Sequence, residues 1–195
     1  MGRKSLANER RDEILDAFER CIVRYGLDGT SLEQIAAEAG VQRSLIRHYL
    51  GNRDALINEL IDRFTQKYLR QAEEALQGIT DPTALIPALL NYLFSAEVEY
   101  TRDEIVMDVL MTASERFPIA RQSLARMFEK WIDQLAASLA LVYPAAAAGQ
   151  QRKVAYAILC LCITNEVFMW LGLKRTYNRA ARESAEALLR TLEGG

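Results

Sequence analysis

The sequence predicts an all-α protein. Apolar residues recur at spacings of three and four along most of the chain, which is the period of an amphipathic helix. Residues typical of helix ends interrupt this pattern at intervals that suit helices of ordinary length. No segment shows the two-residue alternation of a half-buried strand. With 195 residues, half of them apolar, the chain can bury a core in one domain or in two small ones.

The first predicted helix covers about residues 7–25. Ile14, Phe18, Ile22 and Tyr25 would form its apolar stripe, and Gly26 suits the position just after its C-terminus.

Two short helices are predicted next. Thr30 begins the sequence TSLE, which reads as a capping box in which Glu33 bonds back to the cap, so a second helix would cover about 30–39. Gly40 ends it, since only glycine adopts a left-handed conformation easily. A third helix is predicted over about 43–50. Two short helices around one glycine are typical of a helix-turn-helix.

A long fourth helix is predicted over about 53–77, roughly 35–40 Å at 1.5 Å per residue. Further helices are predicted over about 81–100, 103–115, 118–142, 151–174 and 178–192. We place a domain boundary near the start of the fourth helix, which gives an N-terminal domain of residues 1–55 and an all-helical domain of residues 56–195.

Basic residues are concentrated in two segments of a slightly acidic chain, which has 24 Lys and Arg against 26 Asp and Glu. Residues 1–11 contain four basic side chains and one acidic one, whereas residues 12–41 contain two basic and seven acidic ones. Residues 42–53 contain three arginines and no carboxylate. A net charge of −2 argues against a general nucleic-acid coat, but this layout suits a single helix presented to a polyanion.

The third predicted helix has two chemically different sides. At 100° per residue, four apolar or aromatic side chains fall within about 140° of one another and would pack on the first two helices: Leu45, Ile46, Tyr49 and Leu50. The opposite side would present Arg43, Ser44, Arg47 and His48. Arg47 could read a base edge or bind a phosphate. The alternative is an ordinary solvated helix surface.

Beyond this pattern, the N-terminal quarter resembles the DNA-binding domain of the TetR family of transcriptional regulators. The matching residues, in order and spacing, are Thr30-Ser31-Leu32, Ile35-Ala36, Ala39-Gly40-Val41, His48-Tyr49-Leu50, Arg53 and Ala55-Leu56. The resemblance implies base contacts by Arg43, Ser44, Leu45 and Arg47. It implies phosphate contacts by Thr30, Ser31, Tyr49 and Arg53. Arg47 departs from the tyrosine frequent in the family, and Gln42 is a weak N-cap.

The resemblance also implies the remaining architecture. Residues from about 57 onward would form a regulatory domain whose helices at 151–174 and 178–192 build a four-helix homodimer interface. A symmetric dimer would bind a near-palindromic operator. The protein would be a cytoplasmic repressor that a small-molecule effector releases from DNA. Independently, residues 154–173 are apolar nearly all round, which suits an interface.

An effector site is predicted among the methionine and aromatic residues of the later helices, where an apolar or amphipathic molecule would bind. The candidates are Met107, Met111, Met127, Trp131, Glu166, Phe168 and Trp170. Each could instead be an ordinary core residue. Glu166 could pair with an arginine across the dimer or contact a cationic ligand.

Other classes of protein fit the sequence less well. The run at 154–173 is long enough for a membrane span, but Asn165 and Glu166 interrupt it. Three cysteines form neither a disulfide framework nor a metal site, and no cofactor is expected. Because His48 lies on the predicted DNA face without a triad partner, we do not expect an enzyme. The remaining alternative is a helical dimer that acts through protein partners.

Overall fold

The structure is a computed structural model. It describes residues 2–79, 81–95 and 101–193. For residues 2–6, 82 and 83 it describes the backbone only. The described residues form nine helices and no strand, which confirms the all-α prediction. The helices are α1 (Gly2–Gly29), α2 (Leu32–Ala39), α3 (Arg43–Leu50), α4 (Arg53–Leu76), α5 (Pro82–Leu93), α6 (Arg102–Ala113), α7 (Pro118–Val142), α8 (Ala148–Trp170) and α9 (Thr176–Arg190).

The end of α1 differs from the prediction. The helical run continues to Gly29, but it is interrupted at Gly26, whose φ of 69° and ψ of 172° are not helical. Tyr25, the last residue before this break, is exposed and does not join the buried stripe of Ile14, Phe18 and Ile22. The break therefore redirects the chain before α2 begins.

The capping box of α2 lies one residue later than predicted. Ser31 is the N-cap. Its hydroxyl accepts from the backbone N–H of Gln34 at 3.2 Å, and the side-chain oxygen of Gln34 accepts from the backbone N–H of Ser31 at 2.7 Å. Thr30 and Glu33 do not form the predicted pair. Because Gly26 breaks α1, the Thr30 hydroxyl instead donates to the carbonyl of Gly26 at 2.7 Å.

Gly40 makes the turn between α2 and α3, as predicted. Its φ of 65° and ψ of 30° are left-handed, and its N–H reaches the carbonyls of Ala36 and Ala37. The next N–H, of Val41, bonds to Ala36 O at 3.0 Å, so the last carbonyls of α2 are satisfied. α3 then begins at Arg43 and packs on α1 and α2.

The chain divides into two compact units. Unit 1 comprises Met1–Phe64 and Tyr100–Met127, so α6 and the start of α7 belong with α1–α3. Its largest fully buried side chains include Phe18, Ile35, Ile46, Leu56, Leu60, Phe64 and Leu110. The bounds of the two compact units therefore differ from those of the predicted domains, residues 1–55 and 56–195. The predicted domains stay a prediction about separate DNA-binding and regulatory functions.

Unit 2 comprises Thr65–Glu99 and Phe128–Gly195. Its core contains Leu89, Leu90, Phe94, Leu135, Leu139, Val154, Ile158, Cys162 and Leu189. The buried Asn165 of α8 donates to Asn178 Oδ1 at 2.7 Å, and Asn178 donates to the carbonyl of Phe94 at 3.2 Å. These bonds explain a buried amide in an apolar helix, because the side-chain NH2 group of Asn165 has an acceptor.

α5 ends at Leu93, earlier than the predicted residue 100, and residues 96–100 lie outside the described part of the chain. α8 alone among the described helices is long and apolar enough to cross a membrane, and 33% of its most apolar window is buried. This composition is weak evidence for a span because core helices share it.

Candidate DNA-binding interface

α3 has one buried side and one exposed side. Ile46 and Leu50 are buried in the unit-1 core, and Tyr49 is half-buried. The exposed side chains are Gln42, Arg43, Ser44, Leu45, Arg47 and His48. The predicted outward set of Arg43, Ser44, Arg47 and His48 is thus together on one surface.

Leu45 was predicted to anchor α3, but its side chain is 38% exposed. Leu45 and Ile46 are 100° apart on the helix, and α3 is rotated so that Ile46 and Leu50 point directly into the core. Leu45 therefore lies at the edge of the exposed face, where the family resemblance also places it.

The C-terminus of α3 is fixed by an arginine from the basic N-terminal segment. Arg11 Nη1 donates to the carbonyl of Tyr49 at 2.5 Å, and its Nη2 pairs with Glu59 of α4 at 2.6 Å. Arg10 pairs with Glu13 at 2.6 Å on the surface of α1. Part of the positive charge of residues 1–11 is therefore used in structural contacts, which the sequence did not indicate.

The arginines of residues 42–53 differ in their availability. Arg43 Nη1 lies 2.5 Å from Glu33 Oε1, in a pair whose side chains are both exposed. Arg53 is engaged with backbone carbonyls. Within the described part of the chain, the exposed side chain of Arg47 has no hydrogen bond or ion pair. Its guanidinium, which has five donors, is the group of α3 most available to an external anion.

Thr30 is poorly placed for the predicted side-chain contact with phosphate. Its side chain is 1% exposed, and its hydroxyl already donates to Gly26 O. Ser31, the N-cap of α2, is half-buried and accepts one bond from within the helix. The first turn of α2 remains a favourable place for a phosphate because helix N-termini carry partial positive charge.

Arg53 also differs from its predicted role as a phosphate contact. Nη1 donates to Thr30 O and Nη2 donates to Leu27 O, which lie 23 and 26 residues earlier in the chain. The guanidinium carbon lies 5.3 Å from the centroid of the Phe117 ring. Arg53 therefore holds the end of α1, and no local pattern could have revealed partners so distant in sequence.

A second arginine, Arg63 of α4, holds a buried carboxylate of α1. Arg63 pairs with Glu19 through Nη2 and with Asp16 through Nη1, the latter at 2.7 Å. Burial raises the pKa of Glu19, although the bond and charge of Arg63 act in the opposite direction. This cluster fixes α1 against α4, and sequence reasoning missed it.

The predicted effector residues fall in both units. In unit 1, Met127 is buried, Met107 is half-buried and Met111 is exposed. In unit 2, Trp131 packs edge-on against Tyr68 and Phe128, with ring centroids 5.2 and 5.3 Å away. Glu166, Phe168 and Trp170 lie exposed on α8. Phe168 and Trp170 are thus surface residues of unit 2 rather than core.

The N-terminal segment of the chain matches a known protein family. Residues 14–60 match the family model described as bacterial regulatory proteins, tetR family. Over these residues the chain carries a DNA-binding segment of the TetR type. The match covers α2, α3 and the α1 and α4 segments that support them.

Similar proteins extend the comparison beyond this segment. The regulator HbdR of Aromatoleum sp. (strain CIB) is 26% identical over 171 residues, which is 85% of this chain and 70% of HbdR. The regulator BetI of Brucella canis is 34% identical over 87 residues, so the match spans 45% of this chain and only 44% of BetI. A solved transcriptional regulator from Pseudomonas aeruginosa PAO1 superposes with a TM-score of 0.79 at 22% identity, covering 96% of this chain and 92% of that one. This last likeness concerns the fold.

TetR-family proteins are helix-turn-helix transcriptional regulators. They bind DNA operators and small-molecule effectors, typically as dimers. The exposed face of α3 is therefore the candidate DNA-binding surface of this chain.

Proposed function

We propose that this protein is a sequence-specific transcriptional repressor. It binds a near-palindromic operator as a homodimer in the cytoplasm, and a small-molecule effector releases it. The observation that carries this proposal is the exposed face of α3, where the side chain of Arg47 has no partner among the described residues and α3 itself contains no acid. Ile46 and Leu50 hold this face outward.

Base contacts are proposed for Arg43, Ser44, Leu45, Arg47 and His48. Arginine can donate two parallel bonds to guanine O6 and N7, and an apolar side chain such as Leu45 suits a thymine methyl. Ser31 and Tyr49 are proposed to contact phosphates beside the groove. We propose no DNA contact for the side chains of Thr30 and Arg53, since both are used inside the protein.

Dimerisation is proposed through α8 and α9. Large apolar or aromatic side chains of this region are exposed in the single chain, namely Tyr156, Val167, Phe168, Trp170, Leu171 and Tyr177. A concentration of large exposed apolar side chains in one part of a chain is typical of an interface. A two-fold dimer would then place two copies of α3 about one DNA turn, or a multiple of it, apart.

The effector is proposed to be apolar or amphipathic and to bind near Trp131. Its indole Nε1 is buried without a hydrogen-bond partner in the described structure, next to the rings of Tyr68 and Phe128. An acceptor atom on a ligand would satisfy this donor. Glu166 lies 3.8 Å from the Cys162 sulfur. It is proposed either to form an ion pair across the dimer or to contact a cationic ligand.

The test is DNA binding by the full chain. A duplex selected from a random pool by the wild-type protein would be compared with unselected duplex over a range of salt concentrations. A sequence-specific regulator shows a steep salt dependence and a large excess for the selected duplex. Equal affinity for both duplexes would refute the proposal.

Arg47→Ala locates the reading surface. We expect it to weaken binding to the selected duplex by about 1–3 kcal/mol and to lower the ratio of specific to non-specific affinity. Arg121→Ala, which removes an exposed arginine of α7, is the charge-matched control and should leave the ratio unchanged. If Arg47→Ala weakens both duplexes equally, Arg47 binds phosphate instead.

A further inference from the structure

We infer that Arg53 is a positioning residue, which ties the corner between α6 and α7 to the junction between α1 and α2. The α6–α7 corner is defined here as residues 114–118, and the α1–α2 junction as residues 26–31. Both belong to unit 1. The inference rests on the proposed DNA binding for its consequence, but its structural basis can be tested without DNA.

The guanidinium of Arg53 caps the broken end of α1. Its two terminal nitrogens donate to the carbonyls of Leu27 and Thr30, on either side of the last turn before α2. The rigid planar fork of arginine can hold two acceptors at a fixed separation, which a lysine ammonium does not do. Thr30 directly precedes the N-cap Ser31, so these bonds also fix where the capping box of α2 begins.

The same guanidinium is held from the other side by the α6–α7 corner. Phe117 presents its ring face to Arg53, with the guanidinium carbon 5.3 Å from the ring centroid. The neighbouring Arg116 pairs with Asp28 of the α1–α2 junction. The amide of Phe117 bonds to Ala113 O at 3.0 Å, so the corner continues directly from α6. A displacement of α6 would therefore move a group that supports α2.

This arrangement leaves Arg53 little capacity to bind phosphate. Both terminal nitrogens are engaged, and its Nε is buried without a partner. Arg47, by contrast, is exposed and has no partner within the described part of the chain. Arg53 should therefore influence DNA binding through the geometry of α2 and α3, whereas Arg47 acts through direct contact.

The experiment compares Arg53→Lys, Phe117→Leu and their double variant in the full chain. Lysine keeps the charge but loses the fork, and leucine keeps apolar bulk but loses the ring face. We expect hydrogen exchange of amides 27–34 in the free protein to accelerate by about tenfold in each single variant. Both changes disrupt the same contact between Arg53 and Phe117. Exchange in the double variant should therefore be little faster than in the single variant that exchanges faster.

DNA binding supplies the second readout. Arg53→Lys should weaken binding to the selected duplex by about tenfold while the slope against salt concentration stays unchanged. Arg121→Gln, which removes an exposed arginine of α7 in the same unit, is the control and should leave both the exchange and the DNA binding unchanged. Arg47→Ala should also weaken binding to the selected duplex, but it should leave the exchange of amides 27–34 unchanged.

The inference is overturned if Arg53→Lys leaves exchange at amides 27–34 unchanged, or if the effects of the two single variants simply add. It is also overturned if Arg53→Gln lowers the salt slope by about one and Arg53→Lys restores it, since that is the behaviour of a phosphate contact. If the wild type lacks sequence-specific binding, the proposed function fails, and the exchange measurement still decides the role of Arg53.

Discussion

Arg63→Met should strongly destabilise the protein at neutral pH. Arg63 neutralises Glu19, a carboxylate that is only 7% exposed, and also bonds to Asp16. Removing one partner of a buried ion pair leaves an uncompensated charge, which costs about 3–5 kcal/mol. Because the Arg63 side chain is itself 23% exposed and water can approach, we expect the lower end, about 3 kcal/mol.

The loss of stability should depend on pH in a defined direction. Burial is the largest influence on the pKa of Glu19 and raises it, while Arg63 lowers it. Without Arg63 the pKa rises further, and the nearby Asp16 and Asp103 add to this effect. A carboxyl with a raised pKa in the folded state is destabilising when ionised, so the penalty decreases as the pH falls and the group takes up a proton. The cost of Arg63→Met should therefore be smaller at pH 5 than at pH 7.

The assay is urea unfolding followed by far-UV circular dichroism, at one protein concentration and at both pH values. Arg10→Met is the control, because Arg10 and Glu13 form an exposed pair on the same helix α1, and it should change stability by less than about 0.5 kcal/mol. Adding Glu19→Gln to Arg63→Met should recover part of the loss. A cost below about 1 kcal/mol at pH 7, or an equal cost at both pH values, would refute the reasoning.

Three further predictions concern single residues. Gly40→Ala should lower the free energy of unfolding by about 1–2 kcal/mol, since the added Cβ meets nothing within 4 Å and only the left-handed φ of 65° is unfavourable. An unchanged urea midpoint would contradict this. Gln42→Ser should raise stability by about 1 kcal/mol, because Gln42 caps α3 without a side-chain bond although its backbone is extended; thermal unfolding followed by circular dichroism would measure it. Burial raises the pKa of Tyr92 from 10.0 to about 12, with Cys162 and Glu166 adding to the shift. The folded state therefore resists ionisation of Tyr92, and stability should fall as the pH rises from 10 towards 12. Tyr92→Phe should reduce that fall in alkaline urea titrations, and an identical fall would argue against the shift.

The sequence by itself determined the helix-turn-helix and the face of α3 that could meet DNA. These features are local: Gly40 must make a left-handed turn, and apolar residues at helical spacing define which side of α3 is buried. The bounds of α3 agree with the prediction because its signals lie within a few residues of each other. The same reasoning erred by one residue at the cap of α2, because Thr30 and Ser31 are both good caps and the break at Gly26 selects Ser31.

Only the tertiary structure decided what each charged residue does. Arg11, Arg47 and Arg53 look alike in sequence, yet Arg11 holds the end of α3, Arg53 holds the end of α1, and the side chain of Arg47 has no partner among the described residues. The backbone carbonyls that Arg11 and Arg53 bond lie 23 to 38 residues away along the chain. An arginine is long and flexible, so nearby helices determine whether its fork meets a carbonyl, a carboxylate or solvent. Helical periodicity carries no information about such distant pairs, because it reports only which side of one helix is apolar.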